Sequence, residues 1–283
     1  MKIYVCCVPE NLPAMKWEAY LTRALPLLPY TVIRDALKHR DVKADGSRVG
    51  REDPVTRGAQ VKLYTDYEAS VPIVYEDENV ILINKPAGLS SDTDRFGGMT
   101  VQNVLTDVMV KAEECLPVHR LDNRTSGLML IARNAETHET LTRVFRERED
   151  VTKRYECIVK GTVRPGEAIC RAYLVKNAAE AKVRVISHNT PGSKEIITEY
   201  STLCSDGNTT RLLITLHTGR THQIRAHMAY LGHPVLGDDL YGDRNFNRSS
   251  MNNLCLCSCE LSFSGDVPVA SLKNQKFTVE APF

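Results

Sequence analysis

The sequence has no long hydrophobic run. None of its apolar stretches approaches the roughly 20 residues that a helix needs to span a bilayer. The first ten residues also lack the long apolar core of a secretory signal peptide. We therefore expect a cytoplasmic protein that has no membrane partner.

The chain also has almost no net charge. Its 36 Lys and Arg residues oppose 35 Asp and Glu residues, which gives a formal charge of +1 at pH 7. Any nucleic-acid site must therefore arise from local clustering of positive charge. A length of 283 residues with 42% hydrophobic residues predicts one or two packed domains.

Cofactor and metal signatures are missing as well. The sequence contains no Gly-x-Gly-x-x-Gly after a strand and no Walker A string, so we expect no nucleotide cofactor. The nine cysteines are odd in number, which favours reduced thiols. Cys255, Cys257 and Cys259 alternate and would share one face of a strand. Because no second ligand pair accompanies them, we expect core packing rather than a zinc site.

The most informative block covers residues 119–133, which read His-Arg-Leu-Asp-Asn-Arg-Thr-Ser-Gly-Leu-Met-Leu-Ile-Ala-Arg. It places one carboxylate, Asp122, between basic neighbours and ahead of an apolar run that predicts a buried strand. Taken alone, an Asp in such a loop is most often a turn cap. A serine hydrolase using His119, Asp122 and Ser126 is a weaker alternative, because no Gly-x-Ser-x-Gly elbow surrounds the serine.

The whole block resembles the signature H-R-L-D-x-x-T-S-G-L-x-L of the pseudouridine synthases of the large-subunit ribosomal and transfer RNA type. Three further stretches, residues 80–89, 153–161 and 218–242, follow the same family's pattern in the same order. The resemblance covers roughly residues 70–283. It implies an α+β catalytic domain with a mixed, largely antiparallel central sheet. It also implies isomerisation of specific uridines to pseudouridine in structured rRNA or tRNA.

The resemblance assigns roles to three positions. Asp122 matches the catalytic aspartate, Arg225 matches the arginine that pairs with it, and Tyr155 matches the tyrosine that packs against the target uracil. The carboxylate acts either as a nucleophile at ribose C1′ or as a base at C2′, and the sequence leaves both routes open. Without the resemblance, Arg225 would be read as a surface ion-pair residue and Tyr155 as a half-buried core tyrosine.

We expect further contacts with the substrate or the RNA from positions near these motifs. They are His119, Arg120, Arg124, Arg220, His222 and Leu256. The four histidines at 217, 222, 227 and 233 are spread over different elements, so hydrogen-bonding or core roles are favoured over metal binding. One departure from the family pattern is Cys257, which stands where a histidine is common.

Residues 1–69 predict a separate module. Two short helical segments precede an Asp45-Gly46 dipeptide flanked by strand-forming residues, which is a strong hairpin signal. This pattern resembles the S4 RNA-binding domain, although Arg40 and Asp45 stand where that family usually has Gly and Asn. Arg34, Lys38 and Arg40 are the expected RNA contacts, and the alternative is an ordinary solvated face. The predicted domains are thus 1–69 and 70–283.

Two other functions stay open at this point. The first is a non-enzymatic S4-type RNA-binding or ribosome-assembly protein with a decayed synthase domain. The second is a small-molecule glycosidase or lyase without an RNA partner, although glycoside hydrolysis generally uses two carboxylates and the motif offers one. For the synthase we expect RNA as the partner, a monomeric state, and neither a cofactor nor a metal.

Overall fold

The computed structural model describes residues 1–92, 94–109, 114–147, 150–177, 182–243, 245–247 and 253–283. Two β-sheets organise these residues. A small sheet lies within residues 1–69, which we call the N-terminal module, and a large sheet begins at Ile73.

The N-terminal module packs two helices on a four-stranded sheet with the order β1-β4-β2-β3. Its elements are β1 (Lys2–Cys7), α1 (Trp17–Ala24), α2 (Tyr30–Lys38), β2 (Val42–Ala44), β3 (Ser47–Arg48) and β4 (Gln60–Thr65). The predicted hairpin is present, with left-handed φ angles of 47° at Asp45 and 84° at Gly46. Strand β1 was not predicted from the sequence, and it pairs antiparallel with β4 across more than 50 residues of intervening chain.

The large sheet uses eleven strands of the described chain. They are β5 (Ile73–Glu76), β6 (Val80–Lys85), β7 (Leu116–Pro117), β8 (Ser126–Ala132), β9 (Val151–Lys160), β10 (Glu167–Asn177), β11 (Lys182–Ile186), β12 (Lys194–Ser205), β13 (Thr209–Leu216), β14 (Leu256–Phe263) and β15 (Lys276–Thr278). The order is β11-β10-β12-β13-β9-β14-β8-β6-β5, with β15 beside β14 and β7 beside β8. Only the β8–β14 pair is parallel within these described strands. This confirms the predicted α+β fold with a mixed, largely antiparallel sheet.

Helices cover parts of the large sheet. They are α3 (Val101–Asn103), continued by a π-helical segment (Val104–Met109), then α4 (Ala135–Glu147), α5 (Gln223–Tyr230) and a 3₁₀ turn (Ala270–Leu272). Asn134 is a favourable N-cap and predicts a helix that runs to about Glu147. Helix α4 begins directly after it, and the Asn134 side chain accepts a hydrogen bond from the Thr137 backbone N–H at 2.8 Å.

Two predicted helices differ from those observed. Apolar residues at helical spacing over residues 100–110 predict an α-helix, but after one turn the segment widens into the π-helical segment, and Val110 lies outside the described residues. The apolar spacing of residues 221–231 predicts a helix that begins at Thr221, but α5 begins at Gln223. His222 has a left-handed φ of 53°, and the Gln223 side chain accepts the Arg220 N–H at 3.1 Å, which fixes a turn ahead of the helix.

Cys255 lies immediately before β14, Cys257 and Cys259 lie within that strand, and all three are buried. Within the described ranges, no cluster of three His, Cys, Asp or Glu side chains could hold a metal ion. No described helix is long and apolar enough to cross a membrane.

The largest hydrophobic cluster is continuous between the two sheets. It contains Tyr4 and Trp17 of the N-terminal module together with Tyr155 and Leu256 of the large sheet. The two parts therefore share a core, and this core fixes the N-terminal module against the region where the site lies.

Candidate active site

Asp122 lies at the turn that leads into β8, where its backbone oxygen accepts the Thr125 N–H at 3.0 Å. Its side chain is 25% exposed and opens into a cleft of about 1580 Å³. Segments from both parts of the molecule line this cleft, including α1, parts of residues 88–92 and 94–96, β9 and the start of α5. The partial exposure leaves the carboxylate accessible to a ligand in the cleft.

Arg225 contacts the Asp122 carboxylate from α5. Its Nη1 donates to Asp122 Oδ2 at 3.2 Å, while Nε and Nη2 donate to the two carboxylate oxygens of Asp238 at 2.7 and 2.9 Å. Nη2 also reaches Asp239 Oδ1 at 3.3 Å. Arg225 is 4% exposed, so the alternative of a surface ion-pair residue is wrong.

The pair of Arg225 and Asp238 explains how a charge is held in this interior. Burial opposes the charged form of Arg225, yet hydrogen bonding to Asp238 and the charges of Asp238 and Asp122 raise the pKa of the guanidinium above its usual value. Burial likewise opposes ionisation of Asp238, but the bonds from Arg225 keep the pKa of that fully buried carboxyl below its usual value. The bidentate contact to Asp238 fixes the guanidinium, and its remaining Nη1 points at Asp122.

His222 is the second basic side chain beside Asp122. Its Nε2 lies 3.8 Å from Asp122 Oδ2, and its Nδ1 lies 3.0 Å from the Tyr241 hydroxyl oxygen. Burial lowers the pKa of His222, and the charge of Asp122 opposes this effect only in part. The imidazole is thus a positioned, mainly neutral hydrogen-bonding group at the edge of the carboxylate.

Tyr155 and Leu256 form an apolar wall of the same cleft. Tyr155 lies on β9 with Cys157 and Val159 on the same buried face, as the alternation predicted. Leu256 lies on the neighbouring strand β14, opposite Cys157. An aromatic ring beside an aliphatic side chain offers a surface on which a planar base can pack.

Lys85 is a site residue for which the sequence analysis assigned no role. It is fully buried at the end of β6, and its Nζ donates to the backbone oxygens of Leu89 at 2.8 Å and of Pro86 and Asn123 at 3.1 Å. Burial lowers the pKa of Lys85 to about 7, against the opposing effect of the Asp122 charge. The Lys85 side chain thus links Asn123, the residue after Asp122, to the turn that follows β6. Lys85 lies in the stretch 80–89 that follows the family pattern, but its contact with Asn123, 38 residues along the chain, leaves no local signal in the sequence.

Comparisons with known proteins agree with this geometry. The family described as "RNA pseudouridylate synthase" matches residues 79–230, more than half of the chain. The chain belongs to this family. It is accordingly an RNA pseudouridine synthase, an enzyme that isomerises uridine to pseudouridine, and RNA is its partner.

Relatives match over most of the synthase. It is 31% identical over 279 residues to "Ribosomal large subunit pseudouridine synthase C" of Rickettsia conorii, covering 88% of this chain and 91% of the relative. It is 38% identical over 180 residues to "Ribosomal large subunit pseudouridine synthase D" of Vibrio cholerae, covering 61% and 53%. The solved structure of "Human RNA Pseudouridylate Synthase Domain Containing 1" superimposes with a TM-score of 0.62 at 24% identity, covering 78% of this chain and 87% of that one, and shows the shared fold.

The other predicted cleft residues of the synthase differ in their surroundings. Arg120 is exposed and pairs with Asp92 at 3.1 Å, and Arg124 pairs at 3.2 Å with Asp239, which also contacts Arg225. Arg220 is exposed at the cleft surface. All three stand where RNA could reach them, and their roles stay predictions.

His119 lines the cleft but is held mainly by protein groups. Its Nε2 accepts the Leu130 N–H at 3.1 Å, and its ring stacks on Phe145 with centroids 4.6 Å apart. Burial and, to a smaller extent, the charge of Lys153 lower the pKa of His119 to about 3. Any contact of this side chain with RNA would therefore involve a neutral ring.

The predicted RNA contacts of the N-terminal module lie away from the residues that line the cleft. Arg34 and Lys38 project from α2, and Arg40 follows that helix with a left-handed φ of 57°. All three side chains are exposed. None of the three lines the cleft that contains Asp122, and their contact with RNA stays a prediction.

Positive charge is concentrated in the cleft of the synthase. Eight Lys and Arg residues line it against four carboxylates, whereas the whole chain is nearly balanced. The lining cations are Arg23, Arg95, Arg120, Arg124, Arg146, Lys153, Arg220 and Arg225. This is the local clustering that a nearly neutral RNA-binding protein requires.

Proposed function

We propose that this synthase converts uridines of structured large-subunit ribosomal RNA to pseudouridine, with Asp122 as the catalytic residue. The contact that carries the assignment is the 3.2 Å bond from Arg225 to Asp122, made by a guanidinium that is locked onto a buried carboxylate. The bacterial relatives are named as ribosomal large subunit pseudouridine synthases, which supports ribosomal rather than transfer RNA as the substrate.

The reaction is an isomerisation and needs no co-reactant. The N1–C1′ bond breaks, the base turns, and a C5–C1′ bond forms; C5 then loses its proton and N1 carries one. The Asp122 carboxylate attacks ribose C1′ or removes the C2′ proton, and either role needs it ionised. Arg225 orients this carboxylate in the cleft through the 3.2 Å hydrogen bond from Nη1.

The neighbouring side chains supply the rest of the chemistry in this proposal. Tyr155 and Leu256 pack against the uracil after it has left its stack, and Tyr155 stands by the proton transfer at C5. Arg120 and Arg124 bind backbone phosphates or occupy the space that the flipped base leaves. His222 and Arg220 hold the substrate at the opposite edge.

We further propose that residues 1–69 form an S4-like RNA-binding domain ahead of a catalytic domain at 70–283. Arg34, Lys38 and Arg40 would anchor the RNA through sequence-independent phosphate contacts. The protein would act as a monomer in the cytoplasm, where ribosomal RNA is available.

The test is pseudouridine formation on three substrates: unmodified large-subunit ribosomal RNA, unmodified tRNA and free uridine. We expect pseudouridine in the ribosomal RNA, at few positions, and none from free uridine. Conversion of free uridine would favour a small-molecule enzyme. RNA binding without pseudouridine on any RNA would favour an assembly protein, and conversion of tRNA alone would overturn the ribosomal substrate.

A further inference from the structure

Two arginines from different parts of the molecule meet at one aromatic ring in the cleft. The guanidinium carbon of Arg23, on α1 of the N-terminal module, lies 5.8 Å from the centroid of the Phe96 ring. That of Arg95 lies 4.8 Å from the same ring. Both arginines are exposed and both line the cleft that contains Asp122.

Close backbone contacts hold this arrangement in place. The Met99 N–H donates to the Ala24 carbonyl at 2.7 Å, and the Cys7 N–H donates to the Gly97 carbonyl at 3.0 Å. A Cβ at Gly97 would lie 1.9 Å from Cys7 O, and one at Gly98 would lie 2.0 Å from Ala24 O. Only glycine permits this approach, so the loop carrying Arg95 and Phe96 is docked on the module.

Hydrogen bonds connect the same loop to the catalytic turn. Asp94 accepts the Phe96 and Gly98 N–H groups with one carboxylate oxygen and the Ser90 hydroxyl with the other. Ser90 Oγ in turn accepts from the Asn123 side chain at 2.9 Å, next to Asp122. The arginine pair is therefore fixed relative to the catalytic carboxylate.

The charge of the pair is not matched by the protein. Asp94 is occupied by the loop's own hydrogen bonds, and in the described part of the chain no ion pair joins Arg23 or Arg95 to a carboxylate. Arg23 Nη1 donates to the backbone oxygen of Ala19 at 3.3 Å. Two like charges gathered at one ring are unfavourable until an anion lies beside them.

We propose that Arg23 and Arg95, oriented by Phe96, form a phosphate-binding site that spans the N-terminal module and the large sheet and holds the RNA backbone beside the target uridine. The ligand is an RNA phosphate because the site opens into the cleft of an RNA-modifying enzyme, and guanidinium groups suit phosphate oxygens. The N-terminal module then contributes directly to the active-site cleft as well as through its α2 surface. This inference rests on the proposed function.

The test is the salt dependence of binding to unmodified large-subunit ribosomal RNA. Variants Arg23→Gln and Arg95→Gln should each reduce the slope of log affinity against log salt by about 0.7 to 0.9, and the double variant by about twice that. Arg23→Lys keeps the charge and should keep the slope. The matched control is Arg164→Gln, which removes an exposed arginine outside the cleft lining and should leave the wild-type slope unchanged.

Slopes of Arg23→Gln and Arg95→Gln equal to that of Arg164→Gln would overturn the site. Pseudouridine formation by the wild type, measured in the same RNA, separates a failure of the phosphate site from a failure of the proposed function. If the wild type forms pseudouridine while the slopes are equal, the phosphate site alone is wrong. If the wild type forms none, the proposed function is wrong.

Discussion

At the scale of single residues, Arg225 connects the buried interior with the proposed catalytic carboxylate. It joins a fully buried carboxylate, Asp238, to a partly exposed one, Asp122. Such a buried pair contributes little net stability while it is intact, but removing one member leaves an uncompensated charge inside the protein. The same side chain thus bonds a buried carboxylate on one side and the proposed catalytic carboxylate on the other.

We therefore predict that Arg225→Met lowers the free energy of unfolding by about 3–5 kcal/mol and nearly abolishes turnover. Denaturant unfolding and a single-turnover assay measure the two effects. In Arg225→Met/Asp238→Leu the buried carboxylate is gone too, so much of the stability should return while turnover stays low. An unchanged stability of Arg225→Met would contradict the buried-pair account.

The free energy of unfolding should depend on pH through His227. Burial lowers the pKa of this imidazole to about 4, and its Nδ1 lies 2.9 Å from the Thr198 hydroxyl. Between pH 6.5 and about 4 the unfolded chain binds a proton that the folded state excludes, so stability rises with pH across that window. We expect the wild type to lose stability on acidification from pH 6.5 and His227→Gln to lose less. Urea titrations at pH 7 and pH 5 give the loss of stability for each protein. Equal losses in the wild type and in His227→Gln would refute this role.

At the scale of elements, the turn after α2 contains an unfavourable residue. Arg40 adopts a φ of 57°, a region in which side-chain-bearing residues are strained and glycine is not. Arg40→Gly should therefore stabilise the fold, because relief of about 1–2 kcal/mol of left-handed strain exceeds the roughly 0.5–1 kcal/mol that glycine costs in conformational entropy. As a control, Arg34→Gly inside α2 should destabilise it by about 1 kcal/mol. Thermal unfolding of both variants tests the prediction, and a loss of stability in Arg40→Gly would contradict it.

The elements with local signals were predictable from sequence. Strand β8 follows from an unbroken apolar run, α4 from its Asn134 cap, and the β2–β3 hairpin from Asp45-Gly46. Strand β10 was not predicted, because the half-buried Ala168 and Cys170 and the buried Ala172 on one face of the strand are small residues that carry a weak strand signal.

The site was predictable only where a motif marked it. Asp122, Tyr155, Arg225 and Leu256 were named from the family pattern, and the structure brings all four to one cleft. The residues that hold these four side chains in place were not identified from the sequence. Asp238 and Lys85 act through contacts whose partners are set by the tertiary fold, so neither residue has a distinguishing pattern of its own.

At the scale of the whole molecule, the shared core predicts cooperative unfolding. Trp17, the single tryptophan, is fully buried in the N-terminal module, within the cluster that continues into the large sheet. Tryptophan fluorescence therefore reports on the module, and far-UV circular dichroism reports mainly on the large sheet. We expect coincident transitions in denaturant. A fluorescence transition at lower denaturant concentration would show a module that unfolds independently.

The charge distribution and the shared core combine into one account. Both parts of the molecule line a cleft that is rich in positive charge, and in this cleft Arg225 donates a hydrogen bond to the Asp122 carboxylate. The central claim is that this carboxylate performs the isomerisation.

The most direct measurement is single-turnover pseudouridine formation in unmodified large-subunit ribosomal RNA by Asp122→Asn, which keeps the size of the side chain and removes its charge. The control is Asp266→Asn, an exposed carboxylate outside the cleft lining. We predict that Asp122→Asn stays folded and binds the RNA but loses turnover by roughly 10²–10⁴-fold or more, while Asp266→Asn matches the wild type. Turnover by Asp122→Asn near the wild-type rate would contradict the account.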